Sequence, residues 1–327
     1  MRGSDAAGSA GQGRDEARGL VLGLLGVVIF AMTVPMTRLA VGPASDPQLP
    51  PLFVTAGRAA CAGALSCAWL AVTRAARPAR HLWPFVLVCA LGTVVGFPLF
   101  LALALRRVDA MHAAVVTGVL PLATAVAAAA WLRQRPSLGF WLCAVLGTAL
   151  VVAFAAWHGS GGLALADVLL LAAVASAAIG YVAGARLSAE IAAERAICWV
   201  LVASLPVTAP AMVATWPEHA ASAAAWAGFG YVTLFSMWLG FFAWYRGLAL
   251  GGTVRVSQIQ VVQPFLAMLF AVPLLGERLD ATLVVFALAV VAVVTVGRRM
   301  SVGTVRRPAV APAFAAAVAA SLAKRSP

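Results

Sequence analysis

Ser257, Gln260, Gln263 and Pro264 stand closer together than their spacing in the chain suggests. At about 100° per residue they occupy one third of a helix circumference, whereas Gln258 points elsewhere. A glutamine amide presents a donor and an acceptor together, which suits zwitterionic or amide-bearing solutes. Pro264 has no amide proton and leaves a carbonyl unpaired one turn earlier, beside the two glutamines. Apart from Gln258 and Arg255, the neighbouring side chains are apolar. Polar groups in such a stretch are costly, so they mark either a solute cavity or helix–helix hydrogen bonds worth about 0.6 kcal/mol on average. We expect Gln260, Gln263 and Ser257 to line a cavity.

Other polar groups stand in similar settings. Thr117 and Pro121 precede Gln260 and Pro264 by the same 143 positions, and Thr117 is expected to bond back to its own helix while sharing the cavity. His112 falls at the start of the same apolar run, where it serves as an interface residue or as a group titrating near neutral pH. Arg58 lies about six residues inside an apolar run. It either snorkels to the headgroups or pairs within the bundle, and Asp167 is the nearest carboxylate by topology. Together they would make an outer gate. Thr33-Val34-Pro35 reads as a locally broken helix with Thr33 and free backbone turned to the cavity. Most tryptophans sit at span ends as interface anchors, whereas Phe97, Tyr181 and Trp238 lie deeper.

The elements that must hold these groups follow from composition. The 327 residues are 63% hydrophobic and 10% charged, with mean hydropathy +0.97, which no water-soluble domain of this length tolerates. A spanning helix needs about 20 apolar residues. Ten such runs are readable, at 19–41, 52–73, 83–105, 110–132, 138–158, 163–187, 196–216, 224–246, 253–275 and 280–297. Short Gly, Pro or charged links between them leave no room for a soluble domain. Residues 1–18 and 300–327 are expected to be cytoplasmic tails, the first of them disordered. The net charge of +12 sits in short clusters between runs, a topology signal and not a nucleic-acid surface. Arginine counts place both termini in the cytoplasm of a cell-membrane protein. Five cysteines, all inside apolar runs and without CxxC spacing, read as small buried hydrophobes.

One further pattern organises the chain. The stretch Val119–Arg135 recurs at Val262–Arg278, with Pro121 matching Pro264, Gln134 matching Glu277 and Arg135 matching Arg278. A repeat of five spans enters the bilayer inverted in its second copy. The expected fold is therefore an all-α integral membrane protein of ten transmembrane helices, in two inverted five-helix repeats at 19–158 and 163–299.

These features resemble the EamA-type proteins of the drug/metabolite transporter superfamily. The likeness rests on proline-containing fourth and ninth spans, the LLGERLD ending of the ninth, the ALRRVDAMHAA and YRGLALGG links, and Asp167 at the start of the sixth. The resemblance implies a substrate cavity among spans one, three, four, six, eight and nine, which makes Phe97, Tyr181 and Trp238 wall candidates. It also implies an acidic residue at the end of the fourth span, where Gln134 stands here, and in its copy, where Glu277 is kept. Glu277 thus joins Arg58, Asp167 and His112 as a gating or coupling candidate.

The function expected is secondary transport of a small metabolite by alternating access, with export of amino acids or related solutes as the family habit. No GxxxxGK[ST] loop, HExxH or GxSxG occurs, so neither ATP coupling nor catalysis is expected. The competing readings are a non-transporting scaffold, a lipid flippase-like protein and, last, an intramembrane enzyme. A small solute and the bilayer are the expected partners. Protons and a second copy of the chain are further candidates, and no nucleic acid, cofactor or metal is expected.

Overall fold

The computed structural model describes residues 3–131, 135–158, 164–251, 259–299 and 302–303. Ser257, Gln258, Gln134 and the tail beyond Gly303 lie outside the described residues. The chain is helical almost throughout, because in an apolar solvent each backbone amide and carbonyl must be satisfied within its own segment. In chain order the helices are α1 (Gly3–Ala31), α2 (Thr33–Val41), α3 (Pro51–Val72), α4 (Trp83–Cys89), α5 (Phe97–Ala104), α6 (Ala110–Thr117), α7 (Leu120–Trp131) and α8 (Leu138–His158). There follow α9 (Leu165–Ser188), α10 (Ala193–Ala214), α11 (Ala223–Tyr231), α12 (Gly240–Gly251), α13 (Gln263–Leu275) and α14 (Ala281–Arg299). Among the described residues seven helical segments are long and apolar enough to cross a membrane, and Leu138–Phe154, Gln260–Leu275 and Ala281–Gly297 are shorter apolar helices. The chain is thus an all-α, multi-span membrane protein. Helix α1 begins at Gly3, within the stretch whose composition reads as a disordered tail; no proline interrupts it before Ala31.

The interruptions are informative. Pro35 cannot donate to Ala31, and the helix pauses at Met32 between α1 and α2. Pro121 cannot donate to Thr117, and Gly118–Val119 separates α6 from α7. Pro264 cannot donate to Gln260, and a 3₁₀ turn at Gln260–Val262 precedes α13. The last two breaks sit 143 positions apart, like the prolines that cause them. Two π-helical segments recur at nearly the same spacing, 142 to 143 positions, Ala90–Gly96 between α4 and α5 and Val232–Leu239 between α11 and α12. Pro98 accounts for the first by withholding an amide from Val94.

Packing pairs α1 with α12, α3 with α10, α5 with α9, α6 with α13 and α8 with α14. Small residues set the closest approaches, as expected where lipid supplies no hydrophobic drive between helices. A Cβ on Gly92 would lie 2.9 Å from the Cα of Gly180, and one on Gly247 would lie 2.6 Å from the backbone nitrogen of Gly23. The connections collect at two ends. At one end the Ala44 amide donates to the Arg106 carbonyl at 2.8 Å, and the Ser222 amide donates to Gln48 Oε1 at 2.9 Å. At the other, His81 Nε2 meets Glu190 Oε2 at 2.8 Å, and Trp199 Nε1 donates to the Ala76 carbonyl at 3.1 Å. There Arg135–Pro136 also pairs antiparallel with Val302–Gly303.

Candidate functional site

The helix breaks at α1/α2, α6/α7 and before α13 converge on one polar cavity. Its wall carries Thr33, Thr117 and Gln263 from those breaks, Arg58 from α3, and Thr93 and Ser236 from the two π segments. Phe97 and Tyr181 also line it, and the rest of the wall is apolar. Arg58 is 3% exposed although it lies inside a spanning helix. Its Nη2 donates to Ser236 Oγ at 2.9 Å, and that hydroxyl meets Thr33 Oγ1 at 2.8 Å. The Nε and Nη1 atoms of Arg58 and the Oε1 of Gln263 are buried and have no partner among the described residues. Thr117 Oγ1 donates to the Ala113 carbonyl at 2.7 Å, so it bonds to its own helix and faces the cavity as well.

A second chamber of about 430 Å³ adjoins the first through Phe30, Tyr181 and Phe241 and reaches Ser188 and Ala193, at the end of the molecule that carries the His81–Glu190 contact. Its other walls include Trp244, Tyr245 and Gln260, so it is mainly apolar. Gln260 also lines a narrow crevice shared with Thr117 and Gln263, which joins the breaks before α7 and α13.

The opposite end is closed by polar contacts. Glu277 accepts from the amides of Ala110 at 2.7 Å and Met111 at 2.9 Å, capping α6 from the end of α13. Burial pushes the Glu277 carboxyl above its ordinary value, opposed by those two amide donors. Arg38 donates to the Leu105 carbonyl and reaches Asp109 Oδ1 at 3.5 Å. His112 Nε2 lies 2.7 Å from Asp167 Oδ1, while Asp167 Oδ2 accepts from the Ala164 amide at 3.0 Å and so anchors the start of α9.

The residues singled out in the sequence divide accordingly. Thr33, Phe97, Thr117, Tyr181, Gln263 and Arg58 meet around the central cavity, with Gln260 at its two extensions. His112, Asp167 and Glu277 meet at the closed end. Ser257 lies outside the described residues. Trp238 turns away and packs on Phe242 with ring centroids 5.0 Å apart. Arg58 and Asp167 do not pair: the guanidinium is held by Ser236 in the cavity, whereas Asp167 is buried against His112. Ser236, Thr93 and Arg38 were missed by sequence reasoning. Ser and Thr inside apolar runs read as routine helix hydroxyls, and Arg38 reads as a span-end charge.

Comparisons with known proteins agree with this architecture. A solved crystal structure shares the fold with a TM-score of 0.57 at 19% identity, covering 86% of this chain and 98% of its own. In Bacillus subtilis (strain 168), a protein called uncharacterized transporter YdeK is 41% identical over 285 residues, 86% of this chain and 98% of its own length. The EamA-like transporter family model matches residues 17–155 and again 164–297. The chain therefore belongs to the EamA-like transporter family, within the drug/metabolite transporter superfamily.

Proposed function

We propose that this chain is a secondary transporter, and not an enzyme, that carries a small solute by alternating access. Ten spans in two inverted repeats, 19–158 and 163–299, supply the two conformations, with the termini cytoplasmic and cargo moving outward. One observation carries the reading. A polar cavity built from broken helices is sealed by polar contacts at one end and adjoins an apolar chamber of about 430 Å³ leading to the other. Broken helices around a central cavity, with loops closed on one side, are what a carrier caught in one of its two facing states requires. The breaks before α7 and α13, the π segments recurring at a spacing of 142 to 143, and the family model matching twice support the repeat. Arginine counts assign the open end to the cytoplasm.

Cysteine labelling from each side tests the orientation: reagent should reach position 278 only from outside and position 134 only from inside, and the opposite pattern overturns it. Gln260→Leu and Gln263→Leu should lower solute flux in cells producing the chain while leaving insertion intact. Unchanged flux removes them from the site.

A further inference from the structure

We propose that the cavity receives a solute with a carboxylate on an apolar body, and that the Arg58 guanidinium is its anion receptor. This rests on the transporter reading and adds the class of its cargo.

Arg58 is nearly fully buried and lines the central cavity. A guanidinium carries five N–H donors and no acceptor. Those on Nε and Nη1 have no partner among the described residues, and the Nη2 contact is to a neutral hydroxyl. Among the described residues no Asp or Glu lines the cavity, so none of them supplies a counter-charge there. A buried charge is ordinarily paired, because taking it out of water without compensation is strongly unfavourable. Snorkelling is closed to it, since the side chain faces Thr33, Thr93 and Ser236 and not the lipid. The missing negative charge is best supplied by something that enters and leaves. A carboxylate matches a guanidinium in shape as well as in sign, taking parallel charge-assisted hydrogen bonds.

The rest of the site describes the remainder of the solute. Gln263 Oε1, on the same wall and also unpartnered, calls for a donor such as an ammonium or amide N–H. Phe30, Tyr181 and Phe241 stand between the polar cavity and the larger chamber, where an apolar body would rest.

The test uses the purified full-length chain and two series of probes matched in body: L-phenylalanine, 3-phenylpropionate and L-phenylalaninamide, then L-leucine, 4-methylpentanoate and L-leucinamide. Binding is read as protection against thermal unfolding in micelles, and flux as counterflow in proteoliposomes. Carboxylates should bind about tenfold or more tightly than their amides, as expected for a hydrogen-bonded charge pair. Arg58→Gln should erase that preference, while Arg58→Lys, which keeps the charge without the planar fork, should retain a reduced one. Empty Arg58→Gln protein should unfold at a temperature no lower than the parent, which separates a receptor from a structural strut. Amides binding as well as acids, a preference surviving Arg58→Gln, or no binding across both carboxylate series would each overturn the proposal. Flux without acid preference overturns the receptor and leaves the carrier standing. Acid-selective binding without flux does the reverse.

Discussion

At the scale of single residues, Glu277 is expected to make the closed end respond to pH. Its carboxyl is raised by burial where it caps α6, and exposure on opening that contact would bring it back towards its ordinary value. The closed arrangement therefore holds the proton more tightly. Protonation favours closure fully below the ordinary value, and the advantage is lost as pH rises through the raised one. An Arg278→Cys reporter should accordingly become less accessible as pH falls through that window. Glu277→Gln, neutral throughout, should flatten the profile; a profile that keeps its shape assigns the effect elsewhere. Asp167 carries two contacts at once, to His112 and to the Ala164 amide. Asp167→Ala should lower stability by about 1–3 kcal/mol, followed by thermal unfolding in micelles, with Asp167→Asn losing less because it keeps an acceptor.

At the scale of elements, the close approach of α9 to the π segment Ala90–Gly96 depends on two glycines. Gly92→Val should drive a side chain into Gly180 and cost about 1–3 kcal/mol, read by the same melting experiment; no loss of stability would mean that the helices are less tightly seated. Helix positions were legible because apolar runs end in charge, Pro or Gly, and the break at Met32 was legible from Pro35, whereas 110–132 and 253–275 read as unbroken spans despite Pro121 and Pro264. The π segments were not. One has a proline one turn beyond it, but the other, at Val232–Leu239, has none. Helix faces were equally hidden. In lipid both the buried and the outward sides are apolar, so Trp238 could be placed by depth but not by direction, whereas Gln260 and Gln263 declared their side because they are polar.

At the scale of the whole molecule, the packing pairs exchange partners symmetrically. If the first five spans are matched in order to the second five, α1 on α12 becomes α9 on α5, and α3 on α10, α6 on α13 and α8 on α14 each map onto themselves. That pattern was beyond the sequence, because helix pairing is decided by contacts distant in the chain; only the recurrence at 143 hinted at it. Joining the closed end covalently tests whether it must open. Gln48 and Ser222 come from connections on either side of that end and meet at 2.9 Å. Cysteines at both positions, in a chain whose five native cysteines are replaced, should arrest flux when bridged by a short cleavable reagent and release it on cleavage. Flux that persists after complete bridging would mean that this end does not move.

Each of the two π segments places a spare residue within an otherwise regular helix. When such a bulge slides along its helix, the stretch it passes turns by about 100° per residue and advances by about 1.5 Å, while its hydrogen bonds are re-formed one at a time. Thr93 and Ser236 ride on these bulges. A creeping dislocation of this kind could swivel both hydroxyls away from the centre and back with no helix ever melting.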